Sequence, residues 1–339
     1  MYKFILVSLF FFLFLLKNDL FSQFGKIAVV NPDSSTTIHT TFQSAVNAAQ
    51  NGASIYLPAG YWNENITIAK RLNIYGVGHF PNSSPVPPGT SNVSQISFLN
   101  GSDSCIIQGL IISALTFGGG QGNISIKNHY ILRCRIQNLN LAFWNAINVS
   151  NVIIKECVIN FSVGATINSV PKNIIFANSY INYCSGLTGS NIYFTNCIFG
   201  NHSFNGQNLL IENSIFLRQN SDQLAGLQSS IINNCMFLWG STNWGTNSGE
   251  NNIFGQSCSA MFENGSCPEF SYTANYKLKS NSPGKNAGTD GTDIGLFGGD
   301  SPFKEGGLPT QPAIIEFNVT KYPENGQIEI KATAASQTK

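Results

Sequence analysis

The chain has 339 residues, and its 18 lysines and arginines nearly balance its 17 acidic residues. Charged residues make up only 10% of it, against roughly 25% in an ordinary soluble protein, so it has no electrostatic footprint for nucleic acid or for an anionic membrane surface. The apolar content of 42%, with 25 phenylalanines, excludes a disordered chain, while 41 asparagines and 32 glycines between short alternating apolar runs indicate an all-β protein rich in turns.

Residues 1–22 predict an export signal. Lys3 precedes an apolar run from Phe4 to Leu16, which is too short for a bilayer span of about 20 residues, and the small residue Ser22 marks a candidate cleavage point. An uncleaved N-terminal anchor is the alternative. The signal predicts a secreted, periplasmic or cell-surface protein, and no later stretch is apolar enough for a transmembrane helix.

The stretch T41-FQSAVNAAQNG predicts a short amphipathic helix that ends at Gly52. Its apolar residues recur at helical spacing, and a terminal unit of a stacked repeat protein must be covered. We therefore expect this helix to cap the first coil of the fold.

Between residues 128 and 237 the sequence repeats one pattern six times, each copy holding two short strands joined by a two-residue bend. The copies align on a small residue, and these anchors are Cys134, Cys157, Ser179, Cys197, Ser214 and Cys235. The anchors follow one another at steps of 23, 22, 18, 17 and 21 residues. A fainter copy lies one step earlier, with Leu110 at the anchor position. A unit of this length cannot bury its own apolar face and must stack on its neighbours.

Strand alternation places two large apolar columns on the inner side of the stack. The first column is Ile131, Ile154, Phe176, Phe194, Ile211 and Ile232, and the second is Ile136, Ile159, Ile181, Phe199, Phe216 and Phe237. We therefore predict a right-handed parallel β-helix of about eight to nine coils over residues 23–300.

Asparagine recurs at two fixed offsets in these copies. Asn178, Asn196, Asn213 and Asn234 stand immediately before the anchor, and a second column, Asn128, Asn151, Asn173, Asn191 and Asn208, opens the copies. Asn tolerates positive φ better than most residues, so the first column predicts the sharp bend between the two strands. Stacked Asn side chains can also bond to one another along the coils.

Two stretches resemble a known superfamily. The segment from Thr41 to Gly78 resembles the opening of pectate-lyase-like right-handed β-helix proteins, and S282-PGKNAGTDGTDIGLFGGDSPFKEGGLP resembles the closing segment of secreted bacterial β-helix proteins without known activity. The resemblance covers roughly residues 36–310. That superfamily also includes pectate lyases, polygalacturonases and pectin methylesterases, so the resemblance implies a fold more strongly than a chemistry.

The cysteines fit a core better than a disulfide lattice. Four of the eight hold the anchor column and Cys105 falls on an inward position, where a free thiol behaves as a small hydrophobe. Cys134 and Cys157 occupy adjacent coils and leave a bridge open as an alternative. Cys258 and Cys267, nine apart and outside the repeats, are the better disulfide candidate. The spacing of Cys and His suggests no metal site.

The repeats offer few catalytic residues. Hydrolases need two close carboxylates, and lyases need Ca²⁺-binding acids and a base. Asp222 and Glu250, on loops after successive copies and with Arg218 nearby, are the one acid–base set that the sequence allows. Arg133 and Glu156 share a column in adjacent coils, where we expect a surface ion pair.

Three tryptophans favour a ligand-binding role over a catalytic one. Trp144, Trp239 and Trp244 lie on or beside predicted loops rich in Asn and Ser, where aromatic faces can stack on sugars, although packing against the coil is an alternative. We predict a non-catalytic protein without cofactor that binds glycan or an envelope component. A polysaccharide lyase or hydrolase acting on uronates is the alternative, and only the lyase would need Ca²⁺.

Two apolar columns also face outward. The first is Tyr130, Ile153, Ile175, Tyr193, Leu210 and Ile231, and the second is Val158, Tyr180, Ile198, Ile215 and Met236. Exposed apolar surface of this extent is usually covered. The extension 301–339 includes an alternating segment from Ile314, and we expect that segment, or a partner chain, to pack along these columns.

Overall fold

The computed structural model describes residues 25–80, 89–119, 124–142, 148–165, 171–202, 204–265, 267, 269–311, 313–319 and 330–335. The predicted export signal and Trp144 lie outside these ranges. No helix in the described ranges is both long enough and apolar enough to cross a membrane.

The structure consists mostly of strands. In chain order they are β1 (Ile27–Val30), β2 (Thr36–His39), β3 (Ser54–Tyr56), β4 (Gly60–Ile68), β5 (Asn73–Tyr75), β6 (Ser91–Phe98), β7 (Ile106–Gln108), β8 (Ile111–Phe117), β9 (Ser125–Leu132), β10 (Arg135–Ala142), β11 (Asn148–Lys155), β12 (Val158–Ala165), β13 (Lys172–Ala177), β14 (Tyr180–Ile181), β15 (Cys184–Thr195), β16 (Ile198–Phe199), β17 (Phe204–Glu212), β18 (Ile215–Phe216), β19 (Leu227–Gln228), β20 (Ile231–Asn233), β21 (Met236–Phe237), β22 (Phe262–Asn264), β23 (Asn275–Leu278), β24 (Ala313–Val319) and β25 (Ile330–Ala335). The helical segments are α1 (Phe42–Ala48), α2 (Cys258–Met261) and a 3₁₀ turn (Glu305–Gly307).

Strands β1 to β21 form one continuous sheet that winds into a β-solenoid of about seven turns. The first stack contains β3, β5, β7, β9, β11, β13, β15, β17 and β20, each parallel to its neighbour. The second stack contains β4, β6, β8, β10, β12, β14, β16, β18 and β21, also in parallel. The predicted all-β solenoid is confirmed.

The solenoid has fewer turns than the eight to nine that the sequence predicts. After β21, only isolated bridges at Ser248 and Ile253 continue the two stacks. Apolar residues beyond them, such as Met261 and Phe262, pack on the outer surface of the coils.

The inner columns lie where the alternation predicts them. Every member of both large apolar columns and of the small anchor column is at most 3% exposed. Aromatic members stack on successive coils, as Phe176 and Phe194 do at 4.5 Å and Phe216 and Phe237 do at 4.7 Å. The interior is therefore one continuous apolar core.

The predicted capping helix is present, although it ends at Ala48 rather than at Gly52. The Thr41 hydroxyl accepts a bond from the Ser44 amide, and the Glu64 carboxylate accepts bonds from the Phe42 and Gln43 amides. The carboxylate thus satisfies amides that a helix start leaves without partners. Strand β1 lies antiparallel to β3 and completes the cap.

The bend before each anchor adopts positive φ throughout. Asn178, Asn196, Asn213 and Asn234 have φ of 45–52°, and Arg133 and Glu156 take the same conformation in the two preceding coils, at 52° and 55°. We call these six residues the seam.

Residues 258–311, apart from 266 and 268, lie against the outside of the solenoid, and we call them the clasp. Their contacts extend from Asn234 in the last coils to His79 near the first. Seam side chains hold the clasp backbone. Asn178 Nδ2 donates to the carbonyls of Leu296 and Gly298, and Arg133 Nη1 donates to the carbonyl of Leu308. Asn196 and Asn234 likewise donate to clasp carbonyls, whereas Asn213 donates to the Thr289 hydroxyl and accepts from the Thr289 amide.

The clasp also covers the second outward column. Val158, Tyr180, Ile198, Ile215 and Met236 are buried against the clasp's apolar residues, including Met261, Phe262, Leu278, Ile294 and Leu296. The segment that covers this column therefore precedes residue 312. Strands β24 and β25 pair in antiparallel, and the packing of their side chains lies outside the described part of the chain.

Candidate ligand-binding groove

The first outward column remains accessible on the face of the first stack. The strand register aligns Ile106, Tyr130, Ile153, Ile175, Tyr193, Leu210 and Ile231 in one row across the coils. Tyr130 is 44% exposed and Ile231 is 47% exposed. We call this row the stripe, and its six steps of about 4.8 Å give it a length of about 29 Å.

Polar residues end the stripe at both limits. Asn73 precedes Ile106 in the register, and Ser248 follows Ile231. The apolar surface is therefore a bounded feature of seven coils and not a general property of the sheet face.

An asparagine ladder forms one wall of the stripe. The amide nitrogens of Asn151, Asn173 and Asn191 donate to the side-chain oxygens of Asn128, Asn151 and Asn173 at 3.0, 2.9 and 2.9 Å. Each ladder residue has positive φ, which directs successive side chains along the coil axis. The ladder lies on the surface, and Asn208 and Ser229 occupy the same position in the next two coils.

A groove of about 540 Å³ lies over the C-terminal half of the stripe. Its lining residues are Asn173, Ile175, Asn191, Ile192, Tyr193, Asn208, Leu209, Leu210, Ser229 and Ile231. The lining combines an apolar floor with amide and hydroxyl groups, and none of the described residues that form it carries a charge.

The opposite edge of the groove carries Glu212. Its carboxylate accepts a bond from the Tyr193 hydroxyl at 2.8 Å and a longer one from Asn233 Nδ2 at 3.4 Å. The clasp lies directly beyond it, since Asn213 exchanges bonds with Thr289. Burial chiefly raises the pKa of Tyr193 to about 12, and the carboxylates of Glu212 and Asp290 add to this rise.

The predicted acid–base set occupies loops elsewhere on the surface. Asp222 and Glu250 are exposed, and Arg218 is half-buried with its Nη1 donating to the main-chain carbonyl of Asp222 at 2.7 Å. These three residues are all in the described ranges, where no ion pair joins their side chains.

Trp239 and Trp244, the two candidate tryptophans that lie in the described ranges, differ in exposure. Trp239 is 45% exposed, whereas Trp244 is half-buried and packs edge-on against Phe254 at 6.5 Å. Their loop stacks on the preceding one, because the Asn243 amide donates to the Ser221 carbonyl. Neither tryptophan lines the groove.

The expected surface ion pair between Arg133 and Glu156 is in fact buried. Arg133 Nε donates to Glu156 Oε2 at 2.7 Å, and the two side chains are only 3% and 6% exposed. The sequence prediction was wrong about burial because the clasp, which closes over the pair, lies about 150 residues later in the chain. The pair has a structural position beneath the clasp, away from the groove.

The cysteines form two groups. Cys258 and Cys267 form a disulfide, and the other six cysteines are free and buried, including the adjacent Cys134 and Cys157. Burial raises the pKa of Cys105, Cys134 and Cys197 to about 12. These thiols therefore behave as core residues and not as nucleophiles.

The buried histidines also belong to the core. Burial chiefly lowers the pKa of His79 to about 3 and that of His129 to about 4. His129 packs between Phe98 and Phe117, with ring centroids 4.4 and 5.2 Å away. Across the described ranges, no group of three or more metal-ligating side chains occurs.

The sequence pattern predicts the stripe as apolar surface, but it indicates neither the groove nor the place of Glu212 at the groove edge. The offset Asn column was the available signal, because its ladder forms the groove wall. No protein-family model and no curated protein matches the chain.

Proposed function

We propose that the protein binds an extended neutral glycan along the stripe, without catalysis. The observation that carries this proposal is the groove itself, whose floor is aromatic and aliphatic and whose wall is a ladder of amides. Sugar rings present apolar faces that pack on such a floor, and their hydroxyls pair with amide donors and acceptors.

The size of the stripe favours a single polymer chain over a protein partner. About 29 Å of length and the width of one row give roughly 200–300 Å² of surface. Stable protein–protein interfaces bury about 800 Å² on each partner. An extended glycan needs only a narrow row of contacts, which the stripe provides coil by coil.

The absence of charge in the groove lining also bears on the chemistry. The enzyme alternative requires ionisable groups that converge on a sugar, whereas in the predicted set Arg218 bonds to the main chain of Asp222 and no ion pair joins the three side chains in the described ranges. The two tyrosines of the stripe and the Asn ladder instead offer binding contacts at regular intervals.

The test is affinity electrophoresis and calorimetry with β-1,4-glucan, β-1,4-mannan, xylan and polygalacturonate. Tyr193→Ala and Tyr130→Ala should each weaken binding of the preferred neutral glycan by roughly three- to tenfold, the worth of one aromatic contact. Tyr61→Ala is the matched control, because Tyr61 is 88% exposed and lies outside the stripe. Unchanged affinity in both stripe variants, or no glycan bound by the wild type, would refute the proposal.

Release of reducing ends or unsaturated products should be followed in the same samples, with and without Ca²⁺. Turnover that is lost in Asp222→Asn or Glu250→Gln would establish the enzyme alternative and place its site on the loops.

A further inference from the structure

Glu212 is the charged side chain placed to act on a ligand in the groove. It lies in the same strand as Leu210, a lining residue, and two positions along from it, so both side chains face outward. Its two oxygens are each engaged, one by Tyr193 and one by Asn233. These bonds fix the carboxylate at the groove edge rather than letting it turn into solvent.

The bond to Glu212 determines what Tyr193 can offer to a ligand. A phenol has one hydrogen to donate, and Tyr193 donates it to the carboxylate at 2.8 Å. The hydroxyl oxygen can then only accept. It is suited to a sugar hydroxyl and not to a second carboxylate, which has no hydrogen to give.

The charges near this part of the groove are mainly negative. Glu212 and the clasp residue Asp290 both act on Tyr193. The neighbouring clasp cation, Lys285, is bonded to Asp293 at 2.7 Å. Lys172 precedes the ladder residue Asn173 at the far wall. Lys155 shares the row of Glu212 but lies three coils away, about 14 Å along the solenoid, where its Nζ is 4.0 Å from Glu156.

We propose that Glu212 is a specificity-determining residue that makes the groove select neutral glycans and reject uronates. This inference rests on the proposed function. A uronate chain in the groove would bring a carboxylate close to Glu212, and its repulsion is worth roughly fivefold in affinity for one pair of charges a few ångströms apart in water.

The experiment compares a matched pair of ligands, β-1,4-mannohexaose and the corresponding mannuronate hexamer, which differ in carrying a hydroxymethyl group or a carboxylate. Calorimetry on the wild type should show the neutral ligand bound more tightly. In Glu212→Gln the preference should shrink by roughly fivefold, because the side-chain oxygen still accepts from Tyr193 while the charge is gone. Raising the salt concentration should reduce the wild-type preference but not that of the variant.

Two further variants separate charge from position. Glu263→Gln removes an exposed carboxylate on the clasp and should leave the preference unchanged. Glu212→Ala also frees the Tyr193 ring, so it should weaken binding of both ligands.

The outcomes distinguish the two proposals. If mannohexaose binds to the stripe but Glu212→Gln leaves the preference as it was, the role of Glu212 is overturned and the glycan proposal stands. If the wild type prefers the mannuronate, the role of Glu212 is overturned together with the neutral character of the proposed ligand. If neither the neutral polysaccharides nor mannohexaose bind, both fall.

Discussion

The buried ion pair between Arg133 and Glu156 yields the sharpest test of how the clasp is held. Both residues occupy the seam, where the next four coils carry asparagine in the same positive-φ conformation. Replacing either residue by Asn therefore introduces no backbone strain, because the chain itself has Asn in this conformation at the equivalent position of other coils. The variants are Arg133→Asn, Glu156→Asn and the double substitution.

Each single substitution breaks the buried ion pair beneath the clasp and keeps only one of its two charges. Removing one partner of a buried pair destabilises a protein by about 3–5 kcal/mol, mainly because the other charge stays desolvated. Glu156 retains Lys155 at 4.0 Å, and Arg133 retains its bond to the Leu308 carbonyl, so both single variants should fall towards the lower end of that range. The double variant removes both charges and should lose only about 1–2 kcal/mol, for packing and the lost bond to Leu308.

The assay is guanidinium unfolding followed by fluorescence and far-ultraviolet circular dichroism, with amide hydrogen exchange at residues 305–308 as a local probe of the clasp. The double variant should be more stable than either single one, which is the signature of a coupled pair. If both single variants lost less than about 1 kcal/mol, the pair would behave as an exposed one and our account of the clasp would fail.

Three further predictions concern the core and the seam. The free energy of unfolding should fall as the pH drops from about 6.5 towards 3, because the unfolded chain binds protons at His79 and His129 that the folded chain excludes. The fall should be at most about 1.4 kcal/mol per pH unit for each of these histidines. When unfolding is measured against pH, His129→Leu should make this slope shallower. A thiol reagent should modify none of the six free cysteines in the native protein and all six in denaturant, and rapid native labelling would contradict their burial. Asn178→Gly should lower the free energy of unfolding by about 1–2 kcal/mol, because the bonds to the Leu296 and Gly298 carbonyls are lost. Asn178→Ala should lower it by about 1 kcal/mol more, because alanine is strained at the φ of 45° found there. Equal effects of the two variants would show that the positive φ causes no strain.

The sequence predicted the solenoid interior well because that interior repeats. Six copies place the same residue type at the same offset, so a column such as Ile131 to Ile232 needs no knowledge of distant contacts. The positive φ of the seam followed from the same regularity, through Asn178 and its equivalents. Each additional copy strengthens the same prediction, which is why the register of the two stacks agrees with the alignment.

The clasp could not be predicted in this way, because it occurs once and has no period. Its contacts join residues far apart in the chain, such as Arg133 and Leu308, and the sequence around either residue does not predict the contact with the other. The burial of Glu156 and the covering of Val158 both depend on those distant contacts. The same holds for Glu212, whose position at a groove edge requires both the ladder and the clasp to be in place.

The two asparagine columns show how one residue type serves two purposes on this solenoid. In the seam, Asn178 Nδ2 donates its hydrogens to carbonyls of the clasp. In the ladder, Asn173 Nδ2 donates to Asn151 within the same column, and each amide nitrogen carries a second hydrogen and each oxygen a second lone pair. The ladder bonds therefore fix the planes of these amides before any ligand arrives.

Preorganised donors and acceptors reduce the entropy that a ligand must lose to bind. The ladder presents one such pair at every coil, about 4.8 Å from the next. A ligand with a single polar group would bond to one donor–acceptor pair of the ladder and leave the other pairs without a ligand partner. A polymer whose hydroxyls recur along its length can use them in succession, with the apolar row beside the ladder packing against its rings. The periodicity of the solenoid surface thus favours a ligand that is itself a repeating chain.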